Sequence, residues 1–524
     1  MSATSTEAPT WAVHLPAGMR PSDVDLSEGR TLVGAFTQAW AANPDRTTLS
    51  TLDGRRMSAA ELEERTSLAA LRYAAAGLVP GDRVLLCAAP SIEMVVAYVG
   101  ALRAGLTVVP ANPTYPPAEL ATLVAIARPA LGVVDDPGRL PSADFPVTST
   151  TLESLPRRGS GLVLDAAQPH DIAMILYTSG TTGRPKGAPL THANLLAGAQ
   201  AVRLAWRWTP DDTLALCLPL FHMHGLGVGL HGTLVTGAAA ILHPFSPEAV
   251  ATAIDQGASL FFGVPTMYHR LAESPHLAAL ARLRLAVSGS APLPADLHAA
   301  VQAGSGQAVL ERYGMTETVL LVSNPYDGPR KPGTVGFPMP GVELRLAPRE
   351  GGVTEIEVRG PNVISGYLDD PEATASAFTE DGWFRTGDLG TLDEDGYLII
   401  SGRAKELIIT GGYNVYPREV EELLRTHPAV ADAAVVGLPS AEWGETVAAF
   451  VVPAAQTTVD ESGAASDPER FTAELAAWCA ERLVSYKRPR QWYVVDAIPR
   501  NALGKIQRHL LTPASASSPG TSPA

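Results

Sequence analysis

Apolar residues recur at helical spacing through SIEMVVAYVGALRAG (91–105), and the pattern stops at Gly105. The next stretch, LTVVPANP (106–113), is continuously apolar and ends in prolines, as a buried strand does. DRVLLCAA (82–89) and ALGVVDD (130–136) repeat that strand pattern. Such alternation of strand and helix predicts an α/β fold of stacked layers with largely parallel sheets. From about residue 341 the texture changes. GVELRLAP and GVTEIEVRG are short alternating runs separated by turns, which predicts a small β-rich subdomain. EDGYLIISGRAKELIITGGYNV (394–415) reads as strand, turn, strand, turn, punctuated by Gly402, Gly411 and Gly412. PREVEELLRTHPAV then predicts a helix opened by Pro417, and VADAAVVGLPS and ETVAAFVVPA predict strands. QTTVDESGAASDPER (456–470) reads as an exposed loop, and no period of 20–50 residues recurs.

These patterns divide the chain. Residues 1–25 read as a loose tail, 26–402 as a large α/β domain, 403–512 as a small mobile α+β domain, and 513–524, PASASSPGTSPA, as a low-complexity tail. With 524 residues, 46% hydrophobic and 18% charged, the chain has enough apolar residues for a sizeable core, which excludes general disorder. The formal net charge of -15 disfavours a nucleic-acid binder, which normally shows a basic face. An anionic substrate then needs local cations. Cys87, Cys217 and Cys479 show no metal-ligand spacing and read as buried small apolar residues in a reducing compartment. No secretory pattern opens the chain and no apolar run reaches the roughly 18 residues of a membrane span, so a cytoplasmic location is expected. There are five lysines, Lys186, Lys331, Lys405, Lys487 and Lys505, in a chain whose other cations are Arg. A lysine kept here points to a need for a compact ammonium.

The densest chemistry lies in DIAMILYTSGTTGRPKGAPLTHANLL (171–196). An apolar strand runs into a loop of Thr, Ser and Gly, and a helix follows. Such a loop offers hydroxyls and unobstructed N–H groups to phosphate oxygens. Gly180, Gly183 and Gly187 permit close approach, and Lys186 supplies a cation. The spacing GTTGRPKG is not that of GxxxxGK[ST].

YTSGTTGRPKGAPLTH resembles the signature of the adenylate-forming superfamily of acyl-CoA synthetases, aryl-CoA ligases, luciferases and peptide-synthetase adenylation domains. LPLFHMHGL (218–226), SGSAPLP (288–294), ERYGMTET (311–318), GWFRTGDLG (382–390), GRAKELIITGGYNVYP (402–417) and PRNALGKIQR (499–508) are similar to that family's successive motifs, in order. The resemblance implies that MgATP activates a carboxylic acid as its adenylate and that coenzyme A then takes the acyl group. Two anions meet in the first step, so cations and a divalent metal are needed to neutralise developing charge. Thr178, Ser179, Gly180, Thr181, Thr182, Gly183 and Lys186 would close over the β- and γ-phosphates. Thr178 and Glu317 would hold Mg²⁺, a hard ion that prefers oxygen. The nucleotide would lie between Ser288, Gly289, Ser290, Ala291 and Pro292 on one side and Glu311, Arg312, Tyr313, Gly314, Met315 and Thr316 on the other. Asp388 would accept hydrogen bonds from the ribose and Arg403 would donate to ribose or phosphate. Lys505 would bridge the carboxylate and the α-phosphate. Lys405 would be the hinge about which the C-terminal domain turns, and Gly411 and Gly412 would line the tunnel for the CoA thiol.

The acid would be recognised near His222, Arg270, Ser288, Gly314 and Met315. LFFGVPTMYHRLAE (260–273) is especially similar to malonyl- and methylmalonyl-CoA synthetases, which implies that a buried Arg270 pairs with the distal carboxylate of a short diacid. The hairpin reads GGYNVYP where those enzymes carry GGYK. Fatty-acyl- or aryl-CoA ligation is the alternative within the superfamily. Loading of a carrier protein is a second one, against which PLFHMHG lacks the Asp that anchors an amino group. A nucleotide sensor would not need Lys505.

Overall fold

A computed structural model describes residues 8–140, 143–156, 162–178, 185–349, 352–440, 442–454, 468–501, 504–515 and 519–521. Its internal contacts divide it into two compact units, Met1–Leu344 with Val358–Phe384, and Arg345–Glu357 with Arg385–Ala524.

The first unit carries two large sheets. In one, six strands pair in parallel in the order Leu310–Tyr313, Leu285–Ser288, Leu260–Gly263, Thr213–Leu216, Ala239–Leu242, Thr47–Thr51. Short antiparallel strands close both edges. The register sets Gly263 beside Ser288 and Ser288 beside Glu311, so the carboxyl ends of three neighbouring strands open onto one rim. Ligands of open α/β sheets bind outside such strand ends. The second sheet runs Val147–Ser149, Leu131–Val134, Arg83–Cys87, Thr107–Pro110, Ile172–Thr178, Lys186–Thr191, parallel except for its last strand. The apolar pattern of 91–105 forms the helix Ile92–Arg103, which Ser91 caps by accepting from the Met94 N–H and which is buried at every position but Glu93. A full apolar sheath on both sheet faces is what parallel strands require.

The second unit holds a sheet in which Thr386 Oγ1 donates to the Ile356 carbonyl at 2.7 Å and Glu355 accepts from the Gly387 N–H at 3.0 Å. Arg418 donates to the Ile400 carbonyl at 2.8 Å, and the strands up to Arg403 fall in one unit with the C-terminal residues. A further sheet pairs Val430–Ser440 with Gly444–Pro453, and Pro417–Arg425 and Pro468–Arg482 pack on it through Val420, Leu424, Phe471 and Leu475.

The expected loose tail needs correction from residue 10 onward. Thr10–His14 is a helical turn, His14 is buried against the Phe337 carbonyl at 3.2 Å, and Arg207 donates to the carbonyls of His14 and Leu15. A guanidinium that satisfies backbone carbonyls stands in for a sheet partner, a contact no local pattern announces. All three cysteines are buried thiols, and Cys87 Sγ lies 3.7 Å from the Asn112 carbonyl. Among the described residues no helix is long and apolar enough to cross a membrane.

Candidate active site

The hairpin Ile172–Thr178 and Lys186–Thr191 places Thr178 directly opposite Lys186 at its mouth. Ser179, Gly180, Thr181, Thr182 and Gly183, between them, lie outside the described residues. Lys186 Nζ stands 5.1 Å from the centroid of the Tyr367 ring. The Tyr367 hydroxyl donates to Glu317 Oε1 at 3.0 Å. Glu317 sits buried in the short turn Thr316–Thr318, and its carbonyl accepts from the Ile364 N–H at 3.0 Å. Leu368 N–H donates to the Gly187 carbonyl at 2.9 Å. The segment 364–368 thus joins the strand Lys186–Thr191 to Glu317. Sequence reasoning passed over Tyr367, because GYLDDPEAT signals a helix start at Asp370 and Pro371 and nothing in it marks the tyrosine.

The rim of the large sheet brings together Ser288, Gly289, Ser290, Arg312, His222 and His224. Ser290 holds φ at +71° and Val319 at +58°, a left-handed backbone that costs a non-glycine residue energy and collects at functional sites. Ser290 Oγ lies 3.2 Å from His224 Nδ1. His224 begins a π-helical stretch, His224–Leu230, a rare geometry also frequent at functional sites. Its ring stacks on Phe262 at 6.5 Å. Burial holds both imidazoles neutral: His222 is pushed down to about 4, and His224 lies well below its ordinary value, with Arg312 and His222 adding repulsion.

Arg312 is the cation of this rim, and it is buried. Its guanidinium lies so close to Gly289 that a β-carbon there would stand 2.4 Å from Arg312 Cζ. Among the described residues its Nε and Nη2 have no hydrogen-bond partner, and burial pulls its pKa down to about 9. Ser288 Oγ is likewise buried without a partner. Glu311, by contrast, accepts from the Leu293 N–H at 3.0 Å and fastens the loop after Ser288 to the sheet. A β-carbon on Gly314 would meet the Val319 carbonyl at 2.8 Å, so glycine is required there by packing. Tyr313, Met315 and Thr316 are half-buried beside it, as is Ala291, while Pro292 is exposed. Arg270 differs from expectation. It is exposed on the helix Pro265–Ala272, with its guanidinium 5.0 Å from the centroid of the Phe245 ring. Tyr268 takes the inward face of that helix and donates to the Val287 carbonyl at 2.8 Å.

In the second unit Asp388 and Arg403 pair across adjacent strands, with Arg403 Nε 3.1 Å from Asp388 Oδ1. Lys505 shares their surroundings: its pKa is lowered, first by burial and then by Arg403, against the opposing pull of Asp388 and Glu406. Two arginines fix its loop. Arg500 donates to the Gly504 carbonyl at 2.8 Å and to Asp432 at 2.6 Å, and Arg508 donates to the buried Glu421 at 2.6 Å. Lys405 is exposed in the turn Ala404–Glu406. Gly411 and Gly412 hold φ at +55° and +82°; a β-carbon on Gly411 would strike Trp443 at 2.8 Å, while Gly412 has open space.

The family description "AMP-binding enzyme" matches residues 36–368, and "AMP-binding enzyme C-terminal domain" matches 419–505. The chain belongs to the AMP-binding, adenylate-forming enzymes. The ATP-bound MatB of Rhodopseudomonas palustris is 38% identical, with 91% of this chain and 98% of that one covered at a TM-score of 0.84. A malonate–CoA ligase of Arabidopsis thaliana is 34% identical over 83% of this chain and 78% of its own length. A feruloyl-CoA synthase of an Amycolatopsis species is 37% identical over 86% of this chain and 93% of its own. The enzyme is therefore an AMP-forming acid–thiol ligase that uses ATP and CoA. Similar identity to a diacid ligase and to an aryl ligase leaves the choice of acid to the pocket.

Glu317 also bears on the metal. Among the described residues no three His, Cys, Asp or Glu gather into a site of their own. Mg²⁺ in nucleotide sites takes one or two carboxylates and draws its other oxygens from phosphate and water. A buried carboxylate held by a tyrosine beside the strand Lys186–Thr191 fits that requirement.

Proposed function

We propose that the acid is a short dicarboxylate, malonate or methylmalonate, and that Arg312 is its anchor. The observation that carries this reading is the buried guanidinium with unpartnered Nε and Nη2, set against Gly289 among neutral histidines. Burying a cation without a counter-ion is costly, and a second carboxylate relieves that cost. A monoacid leaves the guanidinium unpaired, so the pocket selects for charge more sharply than a hydrophobic pocket selects for length. This reading moves Arg312 from the nucleotide to the acid and leaves Arg270 an outer position over Phe245.

In the adenylation step the reacting carboxylate attacks the α-phosphorus of ATP and pyrophosphate leaves. Lys186 would hold the leaving phosphates and Thr178 and Glu317 the metal, which when bound supplies charge neutralisation on them. Lys505 would hold the carboxylate and α-phosphate oxygens together, and Asp388 and Arg403 would position the ribose. Thiol attack then needs Lys505 withdrawn, with Lys405 as hinge and Gly411 and Gly412 beside the pantetheine arm. An acid panel of malonate, methylmalonate, succinate, acetate, octanoate and coumarate, scored for CoA thioester, tests the reading. Malonate or methylmalonate should lead by kcat/KM; a lead for octanoate or coumarate overturns it.

A further inference from the structure

We infer that Tyr367 is a positioning residue for the triphosphate end of the site, through two separate contacts. Its hydroxyl donates to Glu317 Oε1 at 3.0 Å, and its ring lies under Lys186 Nζ at 5.1 Å. One rigid side chain thereby sets the two groups that the proposed mechanism gives to the metal and to the leaving phosphates. The inference rests on that assignment of Glu317 and Lys186.

The backbone around Tyr367 is built to hold it still. Its N–H donates to Thr374 Oγ1 at 2.8 Å, and Thr374 Oγ1 donates in turn to the Asp370 carbonyl at 2.8 Å. Asp370 caps the helix Pro371–Ala377 by accepting from the Ala373 N–H at 2.9 Å. On the other flank, Asn194 donates to the carbonyls of Pro361 and Val363 at 2.8 and 3.0 Å. The tyrosine is therefore referenced to the helix after the strand Lys186–Thr191 and to the turn that carries Glu317. A carboxylate that must meet a small hard cation at near-ideal octahedral geometry gains from a fixed rotamer, and a hydroxyl on one oxygen provides it. An ammonium over an aromatic face is similarly restrained without losing its charge to a carboxylate, so it stays available for phosphate.

The two contacts separate by mutation. Tyr367→Phe keeps the ring and removes the hydroxyl; Tyr367→Leu removes both. Calorimetric titration of ATP with and without Mg²⁺ reads the two separately from turnover. Tyr367→Phe should leave metal-free ATP binding unchanged and reduce the Mg²⁺-dependent gain in affinity about tenfold or more, the usual effect of losing a ligand's hydrogen-bond partner. Tyr367→Leu should in addition weaken metal-free ATP binding. Thioester formation from supplied acyl-adenylate and CoA, which needs no triphosphate, should be unchanged in Tyr367→Phe. Glu317→Gln should abolish the Mg²⁺-dependent gain, and Tyr367→Phe should add nothing in that background. If Glu317→Gln keeps the full gain, the metal assignment fails and this inference with it. If Glu317→Gln loses the gain while Tyr367→Phe keeps it, or if the hydroxyl's effect persists without Glu317, the inference alone is overturned.

Discussion

Arg403 Nε stands 3.1 Å from Asp388 Oδ1, on strands whose register sets the two residues opposite each other. The pair is strongly unequal in burial, Asp388 being 5% exposed at the side chain and Arg403 40%. A buried carboxylate covered by a half-exposed guanidinium is held in one rotamer, ready to accept hydroxyl donors. Lys505 feels both charges, and its loop is pinned by Arg500 and Arg508.

Lys505→Ala should abolish acyl-adenylate formation, measured as pyrophosphate exchange, and leave thioester formation from supplied acyl-adenylate largely intact. Loss of one preorganised transition-state contact is worth about 10²–10³ in rate. Equal losses in both half-reactions would show that Lys505 serves the fold or the thiol step instead.

The same lysine predicts a pH limb. Burial and Arg403 lower its pKa, so the ammonium is lost at a lower pH than for an exposed lysine. If the ammonium bridges carboxylate and α-phosphate as proposed, kcat/KM for adenylation should be full on the acid side of that pKa and fall as pH rises through it, before the ordinary lysine range near about 10.4. Lys505→Arg should shift the limb beyond measurement at some cost in rate. A wild-type profile flat through that range would contradict the assignment.

Much of this was legible in the sequence. Periodicity found the helix at 92–103 and the strands at 83–87, 107–110, 131–134, 430–440 and 444–453, because burial of one face is written locally. The ordered motifs pointed to the adenylate-forming fold. What stayed hidden was set by long-range geometry. Arg312 and Arg270 each lie within a family-like segment, and only the third dimension shows that the first is buried and the second exposed. Tyr367 meets Glu317 across 50 positions, and Arg207 holds the N-terminal arm from nearly two hundred residues away.

The glycine hairpin separates bulk from backbone strain. At Gly412, with φ at +82° and open space where a β-carbon would stand, any L residue costs about 1–2 kcal/mol of strain. Gly412→Ala bears that strain without bulk, whereas Gly412→Leu bears both. If the thiol passes here, Leu should slow transfer to CoA well beyond Ala while pyrophosphate exchange stays similar in both. Lys405→Pro should also slow transfer selectively, by fixing φ at the turn Ala404–Glu406. Unchanged thioester rates in Gly412→Leu and Lys405→Pro would remove the tunnel and the hinge.

Arg312 and Arg270 give the decisive test of the acid. Arg312→Met keeps length and removes charge, so a distal carboxylate would be left buried and unpaired. Breaking one side of a buried pair costs on the order of 3–5 kcal/mol, and malonate kcat/KM should fall by roughly 10²–10³ or more. Butyrate has no distal charge, so its activity should hold or rise once the unpaired guanidinium is gone. The free enzyme should also gain stability, because an uncompensated buried cation is replaced by an apolar chain, and its thermal midpoint should move up. Those opposing signs exclude a general folding defect, which would lower both activities and the midpoint together. Arg270→Met, at an exposed site over Phe245, should change malonate and butyrate alike and little. If Arg270→Met alone costs malonate its activity while Arg312→Met spares it, the diacid is held from the outer helix. If neither substitution distinguishes diacid from monoacid, the dicarboxylate reading fails, and the enzyme remains an AMP-forming CoA ligase of another acid.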